Sequence, residues 1–181
     1  MKVAILLADG FEEIEAITPK DIILRSNIQC DFVSIMDRKN VIGTHNIEVI
    51  ADKIFDENEI NEYDMVVLPG GLDGAVRLSK DNRVLNVINY FYKNNKKIAA
   101  ICAAPALVVS KTEAAKNKKM TCYPKMEEFF KNSIYVEENV CVDGNLITSR
   151  GPATAMEFAF RIVEELGKNC DELKSGMLFR K

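Results

Sequence analysis

The chain has 181 residues, with 24 Lys and Arg against 27 Asp and Glu and a formal net charge of −3. Apolar residues make up 48% and charged residues 28%. That balance excludes a disordered or collagen-like chain and supports a real core without disulfide staples. A pI near 5.4 argues against general binding to nucleic acid or to a membrane surface.

Val3 to Ala8 is a short apolar run without alternation, as in a strand covered on both faces. Asp9-Gly10 ends it. Glu12 to Ser26 shows helical spacing at Ile14, Ile17, Ile22 and Leu24, and Pro19 inside it predicts a kink or a break. Strands are expected over 31–36, 64–68 and 97–101, with a small hairpin over 41–50 turning near Gly43-Thr44. An amphipathic helix is expected over 83–93, and another helix starts in 105–110. Residues 118–124 read as a short strand and 126–131 as helical. Asp143-Gly144 is a hairpin turn signal between 134–142 and 145–148. Residues 152–166 form a helix with Pro152 in its first turn and Gly167 beyond its end. Alternating strand and helix predicts one domain over 1–181, an open α/β sandwich with a mostly parallel sheet and helices on both faces.

The longest apolar run, 98–109, contains Pro105 and has twelve residues, short of the ~20 that span a bilayer. The six apolar residues at 3–8 are too few for a secretory signal. The five cysteines include no C-x-x-C pair, which fits reduced thiols in a cytoplasmic protein. One histidine and scattered cysteines assemble no metal site. Gly70-Gly71-Leu72-Asp73-Gly74 is not the G-x-G-x-x-G dinucleotide fingerprint, and no cofactor is expected.

Ligands of open α/β sheets bind beyond the carboxyl ends of the strands, and three such ends carry chemistry. Ala99-Ala100-Ile101-Cys102-Ala103-Ala104-Pro105 has the small-x-nucleophile-x-small form of a nucleophile elbow. The free N–H groups of the helix that follows would favour a thiolate and lower its pKa; the alternative is a buried structural cysteine. Pro69-Gly70-Gly71 can set backbone N–H groups beside a substrate oxygen, or it is an ordinary loop. Glu12 and Glu13 suit the first turn of a helix and would repel a phosphate. Glu15 lies deeper. If its face turns toward the neighbouring strand end it meets Cys102, where it must stay protonated and could donate a hydrogen bond to sulfur. His45, the only histidine, lies in the hairpin and reads as a surface or interface residue. Cys30, Cys122, Cys141 and Cys170 lie in or beside apolar stretches and read as core.

The stretches VAILLADGFEEIEAI at 3–17, YDMVVLPGGLDGA at 63–75, IAAICAAPA at 98–106 and LITSRGPATAMEFA at 146–159 resemble the ThiJ/PfpI superfamily, most closely its Parkinson-associated deglycase (DJ-one) branch. The resemblance covers essentially the whole chain. It implies a flavodoxin-like (Rossmann-like) three-layer sandwich, similar to class I glutamine amidotransferases, and a homodimer. It implies Cys102 as the reactive cysteine, Glu15 as the protonated carboxyl on its sulfur, and Gly71 and Ala103 as oxyanion N–H donors. Gly70, Tyr123, Arg25 and Arg150 would line or flank the pocket. Ala103 stands where peptidase-like relatives have His, which removes the Cys–His dyad that a peptidase activity would need. Tyr123 stands where the branch has His before Pro124.

The activity implied is a glyoxalase III-type conversion of a small aldehyde or dicarbonyl to a hydroxy acid, or protein deglycation. An alternative of another class is a redox-sensing, stress-protective protein or chaperone that oxidises the same cysteine.

Overall fold

The apolar runs without alternation become the middle of a seven-stranded sheet in a computed structural model, which describes residues 1–179. In chain order the elements begin with β1 (Lys2–Leu7), α1 (Glu13–Arg25), β2 (Gln29–Ser34), β3 (Asn40–Ile42), β4 (Glu48–Ile50) and β5 (Lys53–Ile54). Then come α2 (Glu57–Ile60), β6 (Met65–Leu68), α3 (Leu72–Lys80), α4 (Asn82–Lys93), β7 (Lys97–Ile101) and α5 (Ala104–Leu107). The rest are β8 (Lys119–Met120), β9 (Ile134–Tyr135), β10 (Val140–Asp143), β11 (Leu146–Ser149), α6 (Ala155–Glu165) and α7 (Asp171–Gly176).

The sheet order is β10-β11-β7-β6-β1-β2-β5. Its pairs are parallel except β10 with β11, the hairpin turning at Asp143-Gly144. From β1 the chain steps outward to β2, whereas from β6 it steps the opposite way to β7 and β11. Crossovers of one hand taken in opposite directions put their helices on opposite faces. So α1 packs with α6 on one face, while α3, α4 and α5 pack together on the other. This is the expected flavodoxin-like arrangement. Val3 to Ala8 and Met65 to Leu68 are fully buried, as strands sandwiched between two helical layers must be.

Several local expectations are corrected. α1 runs through Pro19 without a break. Helix α3 follows Gly71 directly, where the Gly-rich run read as loop. The 118–124 strand shrinks to the two residues of β8, and 126–131 holds only a 3-10 turn at Glu127–Phe129. The helix begun near 105 is the single turn α5, continued by 3-10 turns at Val109–Lys111 and Glu113–Ala115. Among the described residues no helix is long and apolar enough to cross a membrane.

Helix α4 shows how the sandwich is held. Val84, Val87, Ile88 and Phe91 recur at helical spacing and are all buried, so one apolar stripe faces the sheet. Phe91→Ala is expected to cost about 3–5 kcal/mol by emptying a packed site. Urea denaturation followed by far-UV circular dichroism would measure the loss.

Candidate active site

The direction of the chain through the sheet reverses between β1 and β6, and the loops beyond their carboxyl ends open a crevice there. The loops are tied to each other by the Glu12 N–H, which donates to the Gly70 carbonyl at 3.0 Å. Gly10 and Gly71 take φ of +84° and +81°, a region open to glycine at little cost. The end of β7 supplies the third wall. Cys102 sits at φ +64°, a conformation that costs a non-glycine residue on the order of 1–3 kcal/mol. It is held from two sides: its N–H donates to the Ser149 carbonyl at 3.0 Å, and its carbonyl accepts from the Tyr123 N–H at 2.9 Å. The elbow expected from the small residues is therefore present, with its strain.

Glu15, in the first turn of α1, is fully buried beneath this elbow. Its Oε2 accepts from the Gly70 N–H at 2.8 Å. Oε1 has no nitrogen or oxygen partner, and the carboxyl meets the Cys102 thiol. Burial pushes the Glu15 carboxyl up to about 7, although the contacts with Cys102 and Gly70 pull the other way. Burial also pushes the Cys102 thiol well above its ordinary value. The charge and hydrogen bond of Glu15 add to that, and the N–H groups of Ala103 and Gly71 oppose it.

This corrects the expectation of a thiol lowered by a helix dipole. α5 is a single turn, too short to build a macrodipole of consequence. The two local N–H groups are the donors that favour negative sulfur. If Glu15 keeps its proton the repulsion disappears, and its O–H can donate to the thiolate. The pair thus accommodates one negative charge.

The sulfur opens on a cavity of about 540 Å³ whose walls include Glu12, His45, Gly71, Ala103 and Tyr123. Gly71, Ala103 and Tyr123 are where the sequence put them. Gly70 lies behind the wall, between Glu15 and Cys102. Arg150 borders an adjoining cavity of about 320 Å³ that shares Tyr123, and it pairs with Glu137 at 2.9 Å. Arg25 is a correction: it ends α1, about 15 Å along the helix from Glu15, and pairs with Asp21 at 2.7 Å on the exposed side. The structure does not bring it to the cavity. Cys30, Cys122, Cys141 and Cys170 are buried, as expected, and burial pushes the Cys30 thiol up to about 12.

His45, read from the sequence as a surface or interface residue, has an exposed side chain and also lines the cavity. The β3–β4 turn carries it over the start of α1. There its backbone N–H donates to Glu13 Oε1 at 2.7 Å, and its Nδ1 bonds Oε2 at 2.8 Å. Burial acts to raise the Glu13 carboxyl, but the His45 ring and backbone donors hold it below the usual range. The same bond raises the imidazole. The partners lie 32 positions apart, so no local pattern announces them. Glu12, Glu13 and His45 bring one potential metal-ligand atom each within 4.8 Å of one another. A cation would have to displace the bond between Nδ1 and Glu13, and nothing else in the cluster calls for one.

The chain matches the DJ-1/PfpI family over residues 1–165. It is 38% identical over 164 residues to protein DJ-1 homolog B of Arabidopsis thaliana; the match covers 91% of this chain and 37% of that longer protein. The chain is 34% identical over 176 residues to glutathione-independent glyoxalase DJ-1 of Schizosaccharomyces pombe, covering 92% of this chain and 91% of the relative. The crystal structure of Drosophila melanogaster DJ-1beta superposes with a TM-score of 0.92 at 34% identity, covering 100% of both chains.

The closeness of Glu15 and Cys102 depends on a missing side chain. A Cβ on residue 70 would lie 2.5 Å from Glu15 Oε2 and 2.6 Å from Cys102 Cβ. Gly70→Ala is expected to cost about 1–3 kcal/mol and to change the rate at which iodoacetamide alkylates Cys102. An unchanged melting temperature together with an unchanged alkylation rate would refute this account of the site.

Proposed function

The chain belongs to the DJ-1/PfpI family, and from that premise we propose that it is a cofactor-independent enzyme converting small reactive carbonyls, methylglyoxal and glyoxal among them, to hydroxy acids through Cys102. The observation that carries the reading is the strained elbow, which sets a thiol at a cavity with a buried carboxyl, its titration raised to about 7, on one side and two N–H groups on the other. The relative from Schizosaccharomyces pombe, named a glutathione-independent glyoxalase, supports the same class of substrate.

In the reaction the Cys102 thiolate adds to the aldehyde carbon. The aldehyde oxygen takes up the negative charge and is held by the N–H groups of Gly71 and Ala103. Such a pre-positioned donor is worth roughly 10²–10³-fold in rate. Glu15 then gives its proton to the neighbouring carbonyl oxygen, takes the proton of the former aldehyde carbon, and passes that proton to the neighbouring carbon, leaving the hydroxy acid joined to sulfur as a thioester and Glu15 as a carboxylate. A carboxyl that titrates near neutrality can both give and take that proton. Water cleaves the thioester and regenerates the thiol.

A homodimer fits the surface. Ile14 and Ile17 of α1 and Ile42, Ile47 and Ile50 of the β3–β4 hairpin are 41–70% exposed, and the bonds from Glu13 to His45 hold the two elements together. An exposed apolar face of this kind favours association, and a second copy would cover it.

Methylglyoxal supplied without glutathione is expected to yield lactate. Cys102→Ala should abolish this, and full activity in that variant would overturn the reading. Glu15→Gln should slow lactate formation by about 10²–10⁴-fold while Cys102 remains open to alkylation; unchanged turnover would remove Glu15 from the reaction. For the dimer, Ile17→Glu is expected to shift sedimentation toward the monomer, and an unchanged profile would exclude α1 from the interface.

A further inference from the structure

The reaction proposed above needs protons moved in two places. The transfer between carbons happens beside the sulfur, where Glu15 is fully buried. Cleavage of the thioester needs a water, which arrives from the open side. Glu15 faces the thioester carbon from the buried side and has no exposure to the solvent from which the water comes. The elbow offers no help, because residue 103 is Ala and residue 123 is Tyr.

On the open side the cavity wall carries the chain's one imidazole. Glu13 can only accept, so the proton of the ring lies on Nδ1, directed at Oε2 at 2.8 Å, and the backbone N–H of His45 occupies the other oxygen at 2.7 Å. The carboxylate is 4% exposed. It therefore fixes both the tautomer and the seat of the ring, the service a buried carboxylate performs for the histidine of a hydrolase triad. In the neutral ring Nε2 is left as a lone-pair acceptor without a protein partner among the described residues, on a residue that lines the same cavity as Cys102. The other charged or titratable groups facing this space are Glu12 beside it, Cys102, and Tyr123 and Lys125 from the remaining wall.

We propose that His45 is the general base that delivers water to the acyl-Cys102 intermediate, with Glu13 as its positioning residue. The inference rests on Cys102 being the nucleophile. Nε2 takes a proton from water as the water oxygen bonds to the thioester carbon. The C–S bond breaks with its electron pair remaining on sulfur, and the imidazolium returns the proton to that sulfur. Thioester and water become acid and thiol. Glu15 and His45 thus divide the proton work between the floor and the mouth of one cavity.

p-Nitrophenyl acetate separates the steps, since it acylates a reactive thiol with a burst of nitrophenolate and then turns over only as fast as the acyl group is hydrolysed. His45→Gln is expected to keep the burst, slow the later phase about 10²-fold or more, and accumulate acetyl on Cys102 by mass spectrometry. Hydrolysis requires the neutral ring, so its rate climbs with pH through the His45 titration. Glu13 raises that titration, so Glu13→Gln should move the climb to lower pH, a shift that a merely structural role would not produce. His45→Gln hydrolysing its acetyl group at the wild-type rate would overturn the inference and leave the Cys102 reading standing. A climb that stays in place in Glu13→Gln would overturn the role of Glu13. No burst from the wild-type protein would remove the nucleophile and both readings with it.

Discussion

A carboxyl and a thiol buried in contact can hold one negative charge between them, and the architecture of the cleft follows from keeping that charge in bounds. Ionised together, Glu15 and Cys102 would set two anions side by side in a medium of low polarity. The backbone relieves the problem at three points. Gly70 gives up its side chain so that the two groups can meet, and its N–H binds the carboxyl. Gly71 and Ala103 turn their N–H groups on the sulfur. Cys102 accepts a left-handed backbone to reach the position. Each is a local concession that only the surrounding sheet can enforce, through bonds such as that from Cys102 to Ser149.

The outer wall has a different origin. It comes from the small β3–β4 sheet, which shares no strand pairing with the main one. It is seated by Val41, which is fully buried in the core, and by polar bonds: the Gly10 N–H donates to the Ile42 carbonyl at 2.7 Å, the Thr44 N–H donates to the Phe11 carbonyl at 2.8 Å, and His45 bonds Glu13. The floor is thus built by the main sheet, and the mouth by one buried side chain together with hydrogen bonds to the start of α1.

How far the sequence could be read follows the range of the forces involved. Buried strands announce themselves because both faces must be apolar, and α4 because one stripe must be. The Cys102 elbow was legible because tight turning demands small neighbours. Helix α3 was hidden by Gly71 and Gly74, which weigh against a helix by propensity but here let the backbone pass close to Gly10 and Phe11. β8 and the turn at Glu127–Phe129 read longer than they are, since a few apolar residues satisfy either pattern. Arg25 was assigned by likeness to relatives, and likeness carries no distance. The place of His45 is set by a partner 32 positions away, which neither periodicity nor motif encodes.

The register of the sheet also bears on the order in which the geometry around Cys102 assembles. β1 precedes β6 by some sixty residues yet lies beside it inside the sheet, with Val3 against Met65, so β1 waits for β6. The Cys102 N–H waits longer still, for the carbonyl of Ser149 on β11. Pairings of such long range form late. The strained elbow beside Glu15 can form only once β11 has been made and closes on β7, so a ribosome that stops short of Ser149 releases Cys102 without the bond that holds its backbone.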